Sequence, residues 1–318
     1  MSQAPVSPSH PLLPATLQVL ERGWLSSNNV VFADDDVPTV VDTGYVTHGE
    51  ATLALVDQAL KGRRLGRILN THLHSDHAGG NALLQERHGC ETWIPPGDAP
   101  LVDAWDEARL SYQRTGQLCP RFRYDAVLQP HSVVSLGGED WTVLPAMGHD
   151  HAMVMLWCER LGLLMSADAL WQKGFGVIFP ELDGIPGFAE QAATLDLIGQ
   201  LQPRVVIPGH GAPFGEHDGA VSAALEAARA RLRAWREEPR RHADHALKVL
   251  LAFKLLEARR MTLAELQALV QASLDGNAAM RALYPADAQA IAALMAQELV
   301  RARAATLEEG VLVTRSQD

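Results

Sequence analysis

The sequence predicts an α/β fold followed by a mostly helical C-terminal unit. In the first part of the 318-residue chain, short apolar runs of strand length are interleaved with segments of helical periodicity. From Asp218 onward the composition changes to Ala, Leu, Arg and Glu, and no strand pattern recurs before the last residues. Strands interleaved with helices, without strict βα alternation, suit two sheets packed face to face with helices outside. We therefore predict two domains, 1–217 and 218–318.

Apolar runs predict the strands of the first domain, and apolar residues at helical spacing, such as Leu53, Val56 and Leu60, predict its helices. The predicted strands are 17–20, 29–32, 39–41, 67–70, 92–94 and 204–207, with a β-rich block at 133–165. The predicted helices are 49–61, 78–88, 98–114 and 187–202, and 116–130 is predicted to be irregular.

The second domain is predicted to contain four helices, at 219–237, 242–259, 262–271 and 286–304. Thr262 is the predicted N-cap of the third, because threonine caps helices well and apolar residues at helical spacing follow it. Residues 308–313 predict a turn and a strand. Helices that end in such a strand resemble a winged helix.

The segment from Thr71 to Asn81, THLHSDHAGGN, packs three imidazoles and one carboxylate into six residues. These four side chains are His72, His74, Asp76 and His77. Imidazole and carboxylate ligands suit zinc, iron or manganese. Gly79 and Gly80 let the following helix come close to this loop, because glycine has no Cβ. The segment therefore predicts a metal site.

An HxHxDH motif after a strand resembles the signature of the metallo-β-lactamase-fold superfamily. Four other segments resemble the remaining motifs of that family, in the family's order: Val40 to Gly44, Met147 to His149, Ser166 to Asp168 and Val205 to Gly211. The resemblance implies a four-layer αβ/βα sandwich, in the glyoxalase II-like or lactonase-like branch of hydrolases. It also agrees with a C-terminal winged-helix-like domain, which several hydrolases of this fold carry.

Carried over residue by residue, the resemblance implies two divalent metal ions held by seven side chains. The first ion is assigned to His72, His74 and His149, the second to Asp76, His77 and His210, and Asp168 is shared by both. Two ions about 3.5–4 Å apart lower the pKa of a shared water towards neutrality and polarise a carbonyl group. The resemblance therefore predicts hydrolysis by a metal-bound hydroxide.

Three assignments around this set carry further predictions. Asp42, at the end of the first motif, is predicted to orient a ligand through hydrogen bonds. Asp76 is predicted to be catalytic, orienting the nucleophile and relaying a proton. His151 competes with His149 as a ligand, and we favour His149 because it directly follows the strand and a glycine. Zinc is the favoured metal; iron and manganese stay open, since availability and geometry matter as much as affinity.

The loop after Asp168 supplies candidate substrate contacts. Its aromatic side chains Trp171, Phe175 and Phe179 are predicted to line an apolar acyl pocket. The alternative is that they only anchor the loop to the core, because aromatic residues contribute large buried areas anywhere.

The predicted reaction is hydrolysis of a small ester, thioester or lactone. A phosphodiesterase or ribonuclease of the same fold, a non-heme iron dioxygenase and a slow regulatory or ligand-sensing homologue are the alternatives. The formal net charge of −11 argues against nucleic acid and anionic membranes as partners. The arginines between Arg229 and Arg241 are interspersed with glutamates, which favours a solvated helix face over a phosphate-binding surface.

The remaining features predict a cytoplasmic enzyme with a small-molecule substrate. Cys90, Cys119 and Cys158 show no CxxC spacing, so we expect free thiols in a reducing compartment. Residues 1–14 lack the pattern of a secretory signal, and no apolar run reaches the length of a membrane helix. A homodimer is left open.

Overall fold

A computed structural model describes residues 12–215, 219–284 and 287–315. The predictions for 1–11, for the domain boundary at 217/218 and for the helix start at 286 lie outside the described residues. The two-domain division itself stays a prediction.

The first sheet contains six strands in chain order. They are β1 Gln18–Leu20, β2 Asn29–Phe32, β3 Thr39–Val41, β4 Arg67–Leu69, β5 Glu91–Ile94 and β6 Ala126–Val127. Neighbouring strands are antiparallel from β1 to β3 and parallel from β3 to β6. Strands β3 and β4 therefore end at the same edge of the sheet.

The second sheet also contains six strands, in the order β12-β11-β10-β9-β8-β7. They are β7 Val133–Leu136, β8 Glu139–Pro145, β9 Val154–Cys158, β10 Leu163–Ala167, β11 Val205–Pro208 and β12 Phe214–Gly215. Only β10 and β11 pair in parallel, and β9 is antiparallel to both β8 and β10. Strands β8, β10 and β11 consequently run in the same direction.

The remaining elements are the helices and a small third sheet. In the first part of the chain they are α1 Gly49–Leu60, α2 Ser75–Ala78, α3 Asn81–His88, α4 Ala99–Ala104, α5 Tyr112–Thr115, α6 Phe179–Leu182 and α7 Phe188–Leu201. The C-terminal region contributes α8 Ala220–Glu237, α9 Pro239–Ala258, α10 Leu263–Asp275, α11 Ala278–Leu283 and α12 Ala288–Arg301. The last strands, β13 Arg260–Thr262, β14 Ala305–Glu308 and β15 Val311–Thr314, form a three-stranded sheet.

Successive side chains of a strand point to opposite faces of the sheet, so neighbouring residues pack in different apolar cores. Val41 points between the two sheets and packs in a cluster with Trp141 of β8, whereas its neighbour Val40 packs with Val56 of α1. On the outer face of the second sheet, Val206 packs in a cluster with residues of α7 and α8. The layers are thus helix, sheet, sheet and helix, which confirms the predicted sandwich.

The C-terminal region is mostly helical, as predicted, and has its own apolar core drawn from α9 to α12 and the small sheet. Thr262 caps α10 in a capping box, accepting from the backbone N–H of Glu265 while the Glu265 side chain accepts from Thr262. Val177 and Leu182, from the loop after β10, belong to the same core. This packing joins the C-terminal region to a loop that flanks the candidate site.

Two predicted helices differ from the structure. The helix predicted at 98–114 is interrupted, because Trp105 and Ser111 adopt left-handed backbone conformations that end α4 and delay α5. The helix predicted at 78–88 begins earlier, as α2, and is split at Gly79 and Gly80 before α3. Helix α11 was not predicted. Among the described residues, no helix is both long and apolar enough to cross a membrane.

Candidate metal site

The predicted ligands follow the carboxyl ends of strands that meet at one edge of the two sheets. In the first sheet, the segment with His72 follows β4 and Asp42 follows β3. In the second sheet, His149, Asp168 and His210 follow β8, β10 and β11. Because these strands share a direction within each sheet, their ends bring distant parts of the sequence together.

Three groups of side chains at this edge have the composition and spacing to hold a metal ion, since the candidate ligand atoms of each group lie within 4.8 Å of one another. They are His72, His74 and His149; His72, His77 and Asp168; and Asp76, His77 and His210. Together these seven residues are the ligand set. It is the set that the sequence predicted, and its role in metal binding stays a prediction.

The imidazoles of the first group point their ring nitrogens at a common centre. His74 Nδ1 lies 3.1 Å from His72 Nε2 and 2.8 Å from His149 Nε2. His149 Nδ1 lies 2.6 Å from the carbonyl oxygen of Val177, and donating to it leaves Nε2 with its lone pair free. Burial lowers the pKa of His72 well below its usual range and that of His74 to about 4. Both are therefore neutral near pH 7, the form that binds metals.

The second group combines two imidazoles with a carboxylate. Asp76 Oδ2 lies 3.1 Å from His210 Nε2 and 3.9 Å from His77 Nε2. His77 is fully buried, yet its Nε2 makes no hydrogen bond with any described residue. A buried polar atom without a partner is costly, so this nitrogen fits a metal ligand.

Asp168 lies between the groups. Its Oδ1 is 3.5 Å from His77 Nε2, and its Oδ2 is 3.4 Å from His149 Nε2. The β10–β11 register shifts between Met165 and Ala167, and Ala167 has a φ of +46°, so the backbone is strained directly before this carboxylate. The irregular strand end thus turns Asp168 towards both groups.

The charges of the site favour a cation. Burial alone lowers the pKa of His77, but the carboxylates of Asp168, Asp42 and Asp76 together raise it well above its usual range. Burial alone raises the pKa of Asp168, but positive charge on His77 and His210 holds it well below the usual range of a carboxyl group. Three carboxylates around one imidazole therefore attract either a proton or a metal ion.

Asp42 holds His77 from behind. Its Oδ2 lies 2.8 Å from His77 Nδ1, and the backbone N–H and hydroxyl of Thr71 donate to its two oxygens at 2.9 and 2.7 Å. Asp42 itself has a φ of +58°, a left-handed conformation that is uncommon for a residue other than glycine. These contacts fix the position of His77, and the role of Asp42 in orienting a metal ligand stays a prediction.

Glycines make room around the ligands. A Cβ atom on Gly209 would lie 2.2 Å from Asp168 Oδ1, and one on Gly176 would lie 2.3 Å from His149 Nδ1. A Cβ on Gly80 would lie 2.4 Å from the carbonyl oxygen of Thr43, so this glycine permits a close approach to the segment after β3 rather than to the His72–His77 loop. Donor set, unpartnered nitrogen and shaped space together fit a pair of metal ions.

His151 takes no part in the ligand groups among the described residues. Its side chain is 55% exposed and lies 3.7 Å from carboxylate oxygens of Asp98 and Asp150. The geometry therefore favours His149 over His151.

The predicted aromatic residues divide between the cavity and the core. Trp171 and Phe179 line a small cavity beside the ligand set. Phe175, in contrast, is fully buried and packs edge-on against Trp235, with ring centroids 5.3 Å apart. The prediction for Phe175 is corrected, because the loop turns it inward and it anchors the loop.

The cavity has walls that the sequence analysis missed. We call six of its lining residues the apolar wall: Trp24, Trp171, Phe179, Val249, Leu250 and Phe253. Trp24 is 54% exposed and stacks on His210, with centroids 5.5 Å apart and rings inclined by 12°. Trp24 lies in a short turn that matches no sequence motif, so nothing in the sequence predicted its position at the cavity. Val249, Leu250 and Phe253 lie on α9. Apolar residues occur on more than one face of this helix, so their spacing does not indicate which of them line the cavity.

A larger cavity, with a volume of about 520 Å³, adjoins the first and shares His74, Ser111 and Phe179 with it. Its other walls come from the loop before α5, from the segment after His149 and from α6. The ligand set therefore lies beside two adjacent spaces.

Fold and site together define a metallo-β-lactamase-type protein. The family model described as "Metallo-beta-lactamase superfamily" matches residues 22–210, more than half of the chain. The protein belongs to this superfamily.

Within the superfamily, the chain is similar to several hydroxyacylglutathione hydrolases. A hydroxyacylglutathione hydrolase from Acidiphilium cryptum is 29% identical over 230 residues, covering 69% of this chain and 84% of the relative. One from Methylococcus capsulatus is 29% identical over 147 residues, covering 42% and 50%. The chain thus spans only about half the length of several of these relatives.

Two solved structures show the same fold. A beta-lactamase domain protein from Burkholderia ambifaria is 21% identical and has a TM-score of 0.56, with 95% of this chain and 96% of that chain covered. A protein solved in a di-iron-bound form is 23% identical and has a TM-score of 0.52, with 66% and 98% covered. The first of these similarities extends through the C-terminal region.

Proposed function

We propose that the protein is a metal-dependent hydrolase of small esters, thioesters or lactones. The observation that carries this proposal is the convergence of the ligand set beside an apolar cavity. His72, His74 and His149 would hold one ion, Asp76, His77 and His210 a second, and Asp168 both. Two divalent ions, with zinc favoured, would supply an activated water and a Lewis acid for a carbonyl group.

The chain's own residues contribute position and proton transfer. The Val177 carbonyl and Asp42 hold His149 and His77 in fixed orientations. Asp76, whose side chain is 17% exposed, reaches the cavity floor and is the group placed to accept a proton from water. The apolar wall excludes water and receives hydrocarbon groups of the substrate.

Surface charges support a small substrate over RNA. Within the basic run, Arg240 pairs with Asp244 and Arg241 with Glu238, while Arg229 pairs with Asp196 across helices. These pairs leave less cationic charge for phosphates. The names of the relatives, hydroxyacylglutathione hydrolases, support a thioester among the candidate bonds.

Metal analysis and a substrate panel test the proposal. We expect about two ions per chain after purification with zinc, manganese and iron available. Among an aryl thioester, a medium-chain lactone and bis(p-nitrophenyl) phosphate, the thioester or lactone should be hydrolysed fastest. Fastest turnover of the phosphodiester would indicate the nuclease alternative. One iron per chain with dioxygen consumption would indicate the dioxygenase.

We also propose that the C-terminal region is a domain of 218–318 that completes the catalytic pocket, as the position of Val249, Leu250 and Phe253 suggests. Cytoplasmic location is proposed on the three cysteines, which are buried and unpaired. The homodimer stays a prediction, for which the molecular mass in solution is the test.

A further inference from the structure

Asp98 places a buried carboxyl group in the lining of the larger cavity. The residue is 3% exposed, and its Oδ2 makes no hydrogen bond with any described residue. It occupies the N-cap position of α4, where aspartate usually accepts a backbone N–H, yet its side chain makes no such bond. Its Oδ1 lies 3.7 Å from His151 Nε2, too far for a direct hydrogen bond. Oδ2 therefore lacks a hydrogen-bond partner among the described residues, and Oδ1 has only the longer ion-pair contact with His151.

A buried oxygen without a hydrogen bond reduces stability. Such a group in a native protein calls for an explanation, of which a bound water, an ion or a role at a functional site are the usual ones. Asp98 lies beside a space that a ligand can enter, because the larger cavity shares His74, Ser111 and Phe179 with the cavity at the ligand set. A substrate with its reacting bond at the metal site can thus extend one arm to Asp98.

The lining of the larger cavity restricts what this arm can be. Leu73, Leu110 and Ile185 belong to a mostly apolar lining that suits a hydrocarbon chain. A plain hydrocarbon would leave Asp98 without a partner. An anionic group would meet the carboxyl groups of Asp98, Asp150 and Asp183, with Arg109 as the only Lys or Arg among the described lining residues. A neutral polar group on an apolar chain suits both the apolar lining of the larger cavity and the carboxyl group of Asp98.

We propose that Asp98 determines substrate specificity, and that the larger cavity takes an acyl chain carrying a neutral hydrogen-bond donor, a hydroxyl or an amide N–H, that bonds to the carboxyl group of Asp98. This inference rests on the proposed hydrolase function. It names the class of substrate which that site prefers.

The protonation of Asp98 agrees with a neutral ligand. Burial raises the pKa of Asp98 well above its usual range, and the nearby charge of Asp150 raises it further. A neutral carboxyl group can both donate and accept a hydrogen bond, and so can a hydroxyl or an amide. The two groups therefore match in either protonation state.

Kinetics with three thioesters of equal chain length test the proposal: a plain acyl chain, one with a hydroxyl and one with an amide. The wild type should prefer at least one polar chain by about tenfold in kcat/KM. Asp98→Leu should remove or reverse that preference, mainly through KM, and Asp98→Asn should restore part of it. Asp103→Asn, on the exposed side of α4, is the matched control and should keep the wild-type preference.

A wild type that prefers the plain chain, or an Asp98→Leu variant with the wild-type preference, would overturn the inference. Whichever polar chain is preferred identifies the donor. Stability gives a second measurement: Asp98→Leu should melt at a higher temperature than the wild type, because it removes an unpartnered carboxyl group. A lower melting temperature would indicate a merely structural role.

Binding separates this inference from the proposed function. The same three chains as uncleavable thioethers can be titrated calorimetrically into the metal-loaded protein. Selective binding that Asp98→Leu abolishes, without hydrolysis of any thioester or of the matching esters and lactone, would overturn the proposed function and support the inference. Hydrolysis without selectivity in binding or in kcat/KM would support the proposed function and overturn the inference.

Discussion

The ligand set and the apolar wall face each other across one cavity, but they are built differently. The ligand set comes from the segments directly after four strands, β4, β8, β10 and β11, and is held by sheet hydrogen bonds and by the carboxylate of Asp42 after β3. The apolar wall comes from a turn, a loop and helix α9 of the C-terminal region. Rigid strands position groups more closely than loops do. We therefore expect the strand ends to carry the reaction, and the turn, the loop and helix α9 to determine which substrates are accepted.

Removing Asp168 should have the largest effect, since it is the one carboxylate that lies near both imidazole groups. We expect Asp168→Ala to lower turnover by at least about 10³-fold and to reduce the metal content. Steady-state kinetics together with elemental analysis check this outcome. Asp140→Ala, an exposed carboxylate on β8, serves as the control. Full metal content with an unaltered rate would show that the ligand set is wrongly assigned.

Asp42→Asn should have the next largest effect. The amide preserves size and tolerates a left-handed backbone, but it lacks the charge that holds His77. We expect metal affinity to fall by about 10–100-fold while the fold is retained. Competition with a fluorescent zinc chelator measures the affinity, and circular dichroism checks the fold. Equal affinity in both proteins would mean that Asp42 only terminates β3.

Trp24→Ala probes the apolar wall. Because Trp24 is more than half exposed and stacks on His210, its loss should affect the substrate more than the fold. We expect KM to rise by about 3–10-fold for an apolar substrate, with a smaller change in kcat. Leu118→Ala, an exposed apolar residue outside the cavity, is the control. A change confined to kcat would place Trp24 with the ligand set instead.

His242 on α9 gives the smallest effect at neutral pH, because it acts on stability alone and only in acid. Its Nε2 accepts a hydrogen bond from the backbone N–H of Ile178, and burial lowers its pKa to about 4. The unfolded chain binds a proton near pH 6.5, so His242 costs stability progressively as the pH falls from 6.5 to 4, on the order of 3 kcal/mol at pH 4.

Denaturant unfolding of His242→Gln in that pH range tests this expectation. Glutamine retains a hydrogen-bond acceptor but does not titrate, so the free energy of unfolding should fall less steeply with acid than in the wild type. His131→Gln, at an exposed position, should follow the wild-type curve. Identical slopes for His242→Gln and the wild type would show that His242 does not resist protonation in the folded state.

Much of the ligand set was visible in the sequence because metal chemistry admits few residue types. His72, His74, Asp76 and His77 are close in the sequence, and the sheet order brings the other ligands to the same edge. The apolar pattern likewise identified most strands of the two large sheets, since buried strands appear in the sequence as short apolar runs, whereas β6, β12, β13 and β14 were not predicted. Composition alone separated the helical C-terminal region from the rest.

Only the tertiary structure decided which aromatic residues face the site. Phe175 and Phe179 look equivalent in the sequence, yet one packs on Trp235 and the other lines the cavity. Trp24, Val249 and Phe253 carry no motif, because an apolar side chain is equally suited to a core and to a pocket. The direction in which each of these side chains points depends on how its loop or helix packs against distant parts of the chain. Long-range packing therefore determined the wall and the unpartnered Asp98, while local residue chemistry determined the ligands.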